Sequence, residues 1–130
     1  MGGLSLDDVA ALAAGLPDVT EETRRDARTW AVAGRTFAWE RPYTKADLRR
    51  FGGERVPEQP VVAIRVEDMG ERDAVLAARH HGFFTLEHFA GYPAVLVEVS
   101  RSARGPLRDA LVDGWLTMAP SALAEEFLAR

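Results

Sequence analysis

Residues 28–41 read RTWAVAGRTFAWER, and this stretch decides the fold because its large apolar side chains recur with a period of two. A short turn at residues 33–35, which contains glycine, lies between two such runs. Alternation on both sides of a glycine turn is typical of a β-hairpin. We therefore predict a hairpin over residues 28–41, with four side chains on one face: Trp30, Val32, Phe37 and Trp39.

Helices and further strands are predicted on both sides of the hairpin. Ser5 and Asp8 have the spacing of a capping box, which opens a helix that ends before Pro17. A short helical turn is expected from Thr20. Beyond the hairpin we predict four helices: one at 45–51 capped by Thr44, one at 71–81, one from 105 to 118, and a last one capped by Ser121. We also predict a strand at 60–67 and extended pieces at 83–86 and 94–99.

This order predicts a single domain over residues 1–130 of the α+β class, with two layers: a mainly antiparallel sheet and helices on one of its faces. The helix-facing residues should be Trp30, Val32, Phe37, Trp39, Val62, Ile64, Val95 and Val97. The opposite face would then carry Ala31, Ala38, Ala63, Arg65, Ala94, Leu96 and Glu98. Because this second face is small and sparsely charged, we hypothesise that it meets a second copy of the chain or another protein.

Composition excludes several classes of protein. There is no cysteine, so disulfides, thiolate metal sites and cysteine nucleophiles are absent. No apolar run is long enough to span a bilayer, and Asp7 and Asp8 stand where a signal peptide would be basic. We therefore expect a cytoplasmic protein that does not enter membranes. The net charge of −4 predicts that any binding to nucleic acid is local, weak and sensitive to salt.

Motifs for catalysis are missing from the sequence. No serine lies in G-x-S-x-G, no phosphate-binding glycine loop occurs, and the acidic pairs fall at expected ends of helices and strands. His80, His81 and His88 lack the spacing of a metal site, and we expect His80 and His81 to complement the end of a helix. We expect His88 to be structural, beside the turn at residues 91–93. The sequence therefore predicts a non-enzymatic protein without cofactor or metal.

Two binding sites stay open as hypotheses. The first is a basic rim on the hairpin and the loop after it, formed by Arg35, Arg41, Lys45, Arg49, Arg50 and Arg55. These cations would bind DNA beside two aromatic rings, or they would simply keep the loop in water. The second is a small-ligand pocket near Trp39, Tyr43 and His88.

Five motifs together resemble the MmcQ/YjbR family along nearly the whole chain. They are FAWERP at 37–42, KADLRR at 45–50, VEDMGERDAVLAA at 66–78, FFTLEHFAGYPAVLVEV at 83–99, and Trp115 followed by Ala119-Pro120. The resemblance implies a "double-wing" fold similar to secretion chaperones, DNA binding, and neither a cofactor nor an established catalytic residue. The chain departs from the family at Ser121, where many members have lysine, and at residues 79–82, where an Asp-Pro turn is more usual.

Overall fold

The centre of the protein is a six-stranded antiparallel sheet, seen in a computed structural model that describes residues 3–86 and 91–130. The strands are β1 Val19–Arg24, β2 Ala27–Val32, β3 Arg35–Glu40, β4 Val61–Arg65, β5 Phe83–Phe84 and β6 Ala94–Glu98, in the order β1-β2-β3-β4-β6-β5. The helices are α1 Leu6–Ala14, α2 Lys45–Phe51, α3 Met69–Ala77, α4 Arg104–Met118 and α5 Ser121–Leu128. The predicted two-layer α+β class is confirmed.

The predicted hairpin is confirmed as β2 and β3, but two of its face assignments are wrong, those of Ala38 and Trp39. In the pairing of the two strands, Trp30 lies opposite Ala38 and Ala31 lies opposite Thr36, so Phe37 is an extra, bulged residue. A bulge shifts the alternation by one position. Ala38 therefore joins the helix-facing core, while Trp39 lies on the opposite face. The other seven residues predicted to face the helices all belong to that core.

Residues 19–24 form strand β1, so the helical turn predicted from Thr20 is wrong. Arg25 and Asp26 both have positive φ, at 51° and 64°, and this tight turn folds β1 back along the whole of β2. Because β1 is an exposed edge strand rich in charge, it lacks the apolar alternation that would have indicated a strand.

Helices α1 and α4 cover the first face of the sheet. Val9 of α1 and Leu107, Leu111 and Trp115 of α4 are fully buried there. The Trp115 indole donates a hydrogen bond of 2.9 Å to the carbonyl of Pro17, which fastens α4 to the end of α1. Burial on one stripe of α4 confirms the helical spacing predicted for this segment.

Two predicted helix ends are wrong. Helix α3 ends at Ala77, so His80 and His81 lie beyond it and do not complement its last turn. The chain leaves this helix through Arg79, whose φ is 55°, and His80 instead packs edge-on against Phe83. Ser121 is the first residue of α5 and makes no cap, because the N-cap position is occupied by Pro120.

The second face of the sheet is buried by the chain itself. Val61, Ala63, Leu96 and Leu86 form a second core cluster, against which the side chains of Trp39, Tyr43, Phe51 and Phe84 pack. Ala31, Ala94 and Glu98 on this face are also buried. The hypothesis of a bare face for a second copy or another protein is therefore wrong. Its residues are small because the segment after β3 packs closely over them.

Candidate nucleic-acid interface

The segment that follows β3 is held in place by a buried carboxylate, that of Asp47. The Thr44 hydroxyl caps α2 and the Asp47 carboxylate in turn accepts from the Thr44 amide at 2.8 Å. The Arg41 guanidinium lies 2.9 Å from the same carboxylate. Burial by itself raises the pKa of Asp47, but the hydrogen bonds from Thr44 and Arg41 outweigh it and the pKa is lowered. Asp47 is therefore a buried anion that ties α2 to Arg41, the residue directly after β3.

A second buried carboxylate, Glu98, fixes the loop after α2. It accepts a hydrogen bond of 2.6 Å from the Arg55 guanidinium and one of 2.8 Å from the Glu58 amide. Only 3% of Glu98 is exposed, so these two donors satisfy an anion that lies inside the protein. The loop at 52–60 thus crosses the end of β6 as a fixed structure.

Several arginines of the predicted basic rim form ion pairs with these two buried carboxylates. Arg41 and Arg55 bind buried carboxylates, and Arg50 lies 3.8 Å from the Asp47 carboxylate. Arg35 points away from the others, since it donates to the carbonyl of Met118 at the end of α4. The structure therefore does not assemble the six cations into one surface.

Two predicted cations remain available, and one further cation joins them. Lys45 and Arg49 are exposed, lie four residues apart and so share one face of α2. Arg25 is exposed in the turn between β1 and β2. Within residues 3–86 and 91–130 none of these three forms an ion pair. In the sequence, Arg25 belongs to the basic run TRRDAR at 23–28. Nothing in that run indicates that the chain turns there and places Arg25 beside the hairpin.

A groove of about 560 Å³ connects the β1–β2 turn with the start of α2, and we call it the aromatic groove. Its lining combines two aromatic rings, three arginines and three threonines with one carboxylate. These residues are Arg24, Arg25, Ala27, Thr29, Thr36, Trp39, Glu40, Arg41, Pro42, Tyr43 and Thr44. Arg25 lines the groove on the side of the β1–β2 turn. Lys45 follows the groove residue Thr44 directly along the chain, and Arg49 lies one helical turn further along α2.

The two aromatic residues predicted for a ligand pocket do meet in the aromatic groove. Trp39 is half-buried and its ring packs edge-on against Tyr92 at 6.1 Å. The Tyr43 hydroxyl donates a 2.8 Å hydrogen bond to the carbonyl of Pro57, and burial with nearby Glu98 raises the pKa of Tyr43 to about 12. Tyr43 therefore offers a neutral ring and no acid–base group. The third predicted residue, His88, lies outside the described residues.

Other kinds of site find no support among the described residues. In that part of the chain no group of three or more His, Cys, Asp or Glu side chains could hold a metal ion. None of the helices in the described ranges is both long and apolar enough to cross a membrane.

The chain is similar in sequence to mycobacterial proteins. The chain is 40% identical over 126 residues to "Uncharacterized protein Rv2570" of Mycobacterium tuberculosis (strain ATCC 25618 / H37Rv). The aligned residues cover 95% of each protein. The same identity and coverage relate it to "Uncharacterized protein Mb2600" of Mycobacterium bovis (strain ATCC BAA-935 / AF2122/97). No family model matches the chain, and no solved structure matches it.

Proposed function

This chain belongs to the family of the mycobacterial proteins Rv2570 and Mb2600, and we propose that it binds DNA through the aromatic groove. We further propose that it is a cytoplasmic, non-enzymatic protein of the MmcQ/YjbR type, as its motifs indicate. The observation that carries the proposal is that Trp39 and Tyr43 line one groove with Arg25, and that Lys45 and Arg49 lie on α2, which begins directly after the groove residue Thr44. All three cations are exposed, and none of them pairs with a carboxylate of the described residues.

Single-stranded DNA fits this groove better than a duplex. Stacking of bases on aromatic rings, combined with cations that follow the backbone, is how proteins bind single strands. A duplex offers no free base face to Trp39, and the short α2 does not resemble a helix that reads the major groove. With three available cations and a net charge of −4, binding should be weak and strongly reduced by salt.

The proposal is tested by fluorescence anisotropy with a labelled single strand of about 12 nucleotides and the matching duplex. We expect the single strand to bind more tightly, with a log–log salt slope of about −2, from about 0.7 per phosphate contact. The double variant Arg25→Glu/Arg49→Glu should lose binding at least about tenfold and flatten the slope. Trp39→Phe should weaken binding less, since a smaller ring still stacks.

A matched control reverses two exposed arginines away from the groove, Arg101→Glu and Arg108→Glu, and so changes the net charge equally. This control should keep most of the affinity. If both double variants lose binding equally, the attraction is nonspecific and the groove is not the site. Absence of binding even at about 50 mM salt would reject the DNA proposal.

A small anionic ligand with an aromatic ring is the second candidate, because the groove volume of about 560 Å³ lies within the range of small-molecule sites. A nucleoside monophosphate, measured by calorimetry, separates the two functions. If it binds as tightly as the oligonucleotide and both depend on Trp39, the small ligand is favoured. A much weaker monophosphate supports DNA, because several nucleotides then contribute to binding.

A further inference from the structure

A second groove, independent of the proposed DNA site, runs between α3 and α4 in the helix layer. It consists of two adjoining cavities of about 380 Å³ and 240 Å³, which share Glu71 and Asp113 in their walls. The other residues that line the larger cavity are Val66, Glu67, Leu116 and Thr117. The other residues that line the smaller cavity are Ala74, Val75, Ala78, His80, Phe83, Pro106, Asp109 and Ala110. We call the two together the α3–α4 groove.

The floor of the α3–α4 groove is apolar and incompletely covered. Helix α3 has no fully buried residue, and Ala74 and Ala78 are exposed in the groove wall. Val75 and Ala110 are only half-buried against the core. An amphipathic helix normally buries its apolar stripe, so this pair of helices leaves apolar surface that a further element could cover.

The rim of the same groove is acidic. Glu67, Glu71, Asp109 and Asp113 are all exposed, and none of them forms an ion pair within the described part of the chain. Burial together with the charge of neighbouring Asp109 raises the pKa of Asp113. Four carboxylates therefore line the groove, and no cation of the described residues pairs with them, which favours the approach of a positively charged partner.

We infer that the α3–α4 groove binds a basic amphipathic helix of a partner protein, with its apolar side chains on the floor and its lysines or arginines on the acidic rim. In the helix-in-groove mode of recognition, the apolar face of an amphipathic helix lies in an apolar groove. The acidic rim adds charge complementarity that selects a basic helix. From Pro106 to Thr117 the wall follows α4 for about 16 Å, at about 1.5 Å per residue, which is the length of three helical turns.

Two other occupants fit less well. A small polyamine would match the carboxylates but would leave the apolar floor exposed to water. The chain's own α2 carries Lys45, Arg49 and the exposed Leu48, so a second copy offers some complementarity. However, α2 has only seven residues and presents a single exposed leucine, which is too little to cover the two cavities.

The inference is tested with a labelled synthetic peptide of about 14 residues, composed of leucine and lysine, with leucines at helical spacing. A peptide of the same composition with scrambled leucines and a leucine–glutamate peptide serve as controls. We expect anisotropy to show saturable binding of the first peptide, at least about tenfold weaker binding of the scrambled one, and no binding of the acidic one. Equal binding of both basic peptides, or full competition by spermidine at similar concentration, would overturn the proposal, because charge alone would then explain binding.

Charge variants locate the site. Glu71→Lys/Asp113→Lys should weaken peptide binding at least about tenfold, and the milder Glu71→Gln/Asp113→Asn should weaken it in the same direction while keeping side-chain volume. The control Glu125→Lys/Glu126→Lys, on exposed positions of α5, should bind as the unaltered protein does. Equal loss in the control overturns the assignment. Self-association that is seen by light scattering and lost in the Glu71/Asp113 variants would show that a second copy occupies the groove and would likewise overturn it.

Discussion

Asp47 is the residue on which the segment after β3 depends. It lies at the N-terminus of α2, is fully buried, and binds both the Thr44 amide and the Arg41 guanidinium. Glu98 plays the corresponding part for the loop at 52–60 through Arg55 and the Glu58 amide. These contacts explain why arginines that resemble a DNA-binding cluster in the sequence instead hold the fold together.

We predict that Asp47→Ala destabilises the protein by about 3 kcal/mol, since removing one partner of a buried pair leaves the other charge uncompensated. The free energy of unfolding from urea denaturation measures this change. Glu54→Ala, an exposed acid in the same segment, is the control and should stay within about 0.5 kcal/mol. Comparable losses in both variants would mean that the carboxylate of Asp47 has no special role.

The same residue predicts a dependence of stability on pH. The pKa of Asp47 is below its ordinary 3.8 in the folded protein, because hydrogen bonds from Thr44 and Arg41 outweigh burial. The stability it contributes is therefore present above pH 3.8 and is lost as the pH falls through the lower, folded value. Unfolding free energies of the unaltered protein and Asp47→Asn should converge as the pH falls below 3.8. A constant difference would contradict this assignment.

At the scale of secondary-structure elements, the two-residue turn between β2 and β3 determines the register of the hairpin. Ala33 has φ 49° and Gly34 has φ 80°, the left-handed pair that such turns require. Asparagine and glycine adopt this conformation more readily than alanine, and valine adopts it least.

We therefore predict that Ala33→Asn and Ala33→Gly stabilise the protein by about 0.4–1 kcal/mol and that Ala33→Val destabilises it. Thermal unfolding monitored by circular dichroism gives the order of the three variants. Because Ala33 is exposed, lost packing would not explain the effect. Stabilisation by valine would show that the turn is not of this type.

Helix α4 lies close to the sheet at Gly114. A methyl group there would lie 3.0 Å from the carbonyl oxygen of Arg65 and from the side chain of Ile64. The close packing of the helix on β4 therefore favours glycine at this position, in spite of its weak helix propensity.

We predict that Gly114→Ala destabilises the protein by about 1–2 kcal/mol, because overpacking outweighs the helical preference of alanine. Gly105→Ala, in the first turn of the same helix, meets nothing within 4 Å and should be neutral or stabilising by up to about 1 kcal/mol. Chemical denaturation of both variants gives the comparison. A more stable Gly114→Ala protein would mean that α4 can move away from the sheet.

At the scale of the whole molecule, both faces of the sheet are covered by the chain. Helices α1 and α4 bury one face, and Phe51, Tyr43 and Leu86 pack over the other. Charge is also divided between the two faces, since the aromatic groove has exposed cations around it while the α3–α4 groove is acidic. The net charge of −4 is therefore the sum over a surface with exposed cations and a separate acidic surface.

We predict a monomer in solution, because the chain itself packs over both faces of the sheet. Size-exclusion chromatography with light scattering should give the mass of one chain across a broad range of concentration. A stable dimer would show that a surface other than the sheet face drives association.

The sequence by itself determined the α+β class, the hairpin at 28–41, both capping boxes and the buried stripe of α4. Each of these follows from local periodicity or from hydrogen bonds between residues three apart in the chain. The sequence also singled out Trp39 and Tyr43 as neighbours in a pocket, and both line the aromatic groove.

Tertiary structure alone decided which surfaces are free. The bulge at Phe37 places Trp39 on the other face of the sheet. The turn at Arg25 and Asp26 pairs residues 19–24 with β2 as an edge strand. The buried carboxylates of Asp47 and Glu98 pair with three arginines of the predicted rim. Arg55 and Glu98 are 43 positions apart in the chain, so no local spacing links them. The other contacts are between residues that are close in sequence, but they form only because α2 packs against the sheet and buries Asp47. A cation is available to a ligand only where folding leaves it without a carboxylate partner, and that depends on the three-dimensional arrangement of the whole chain.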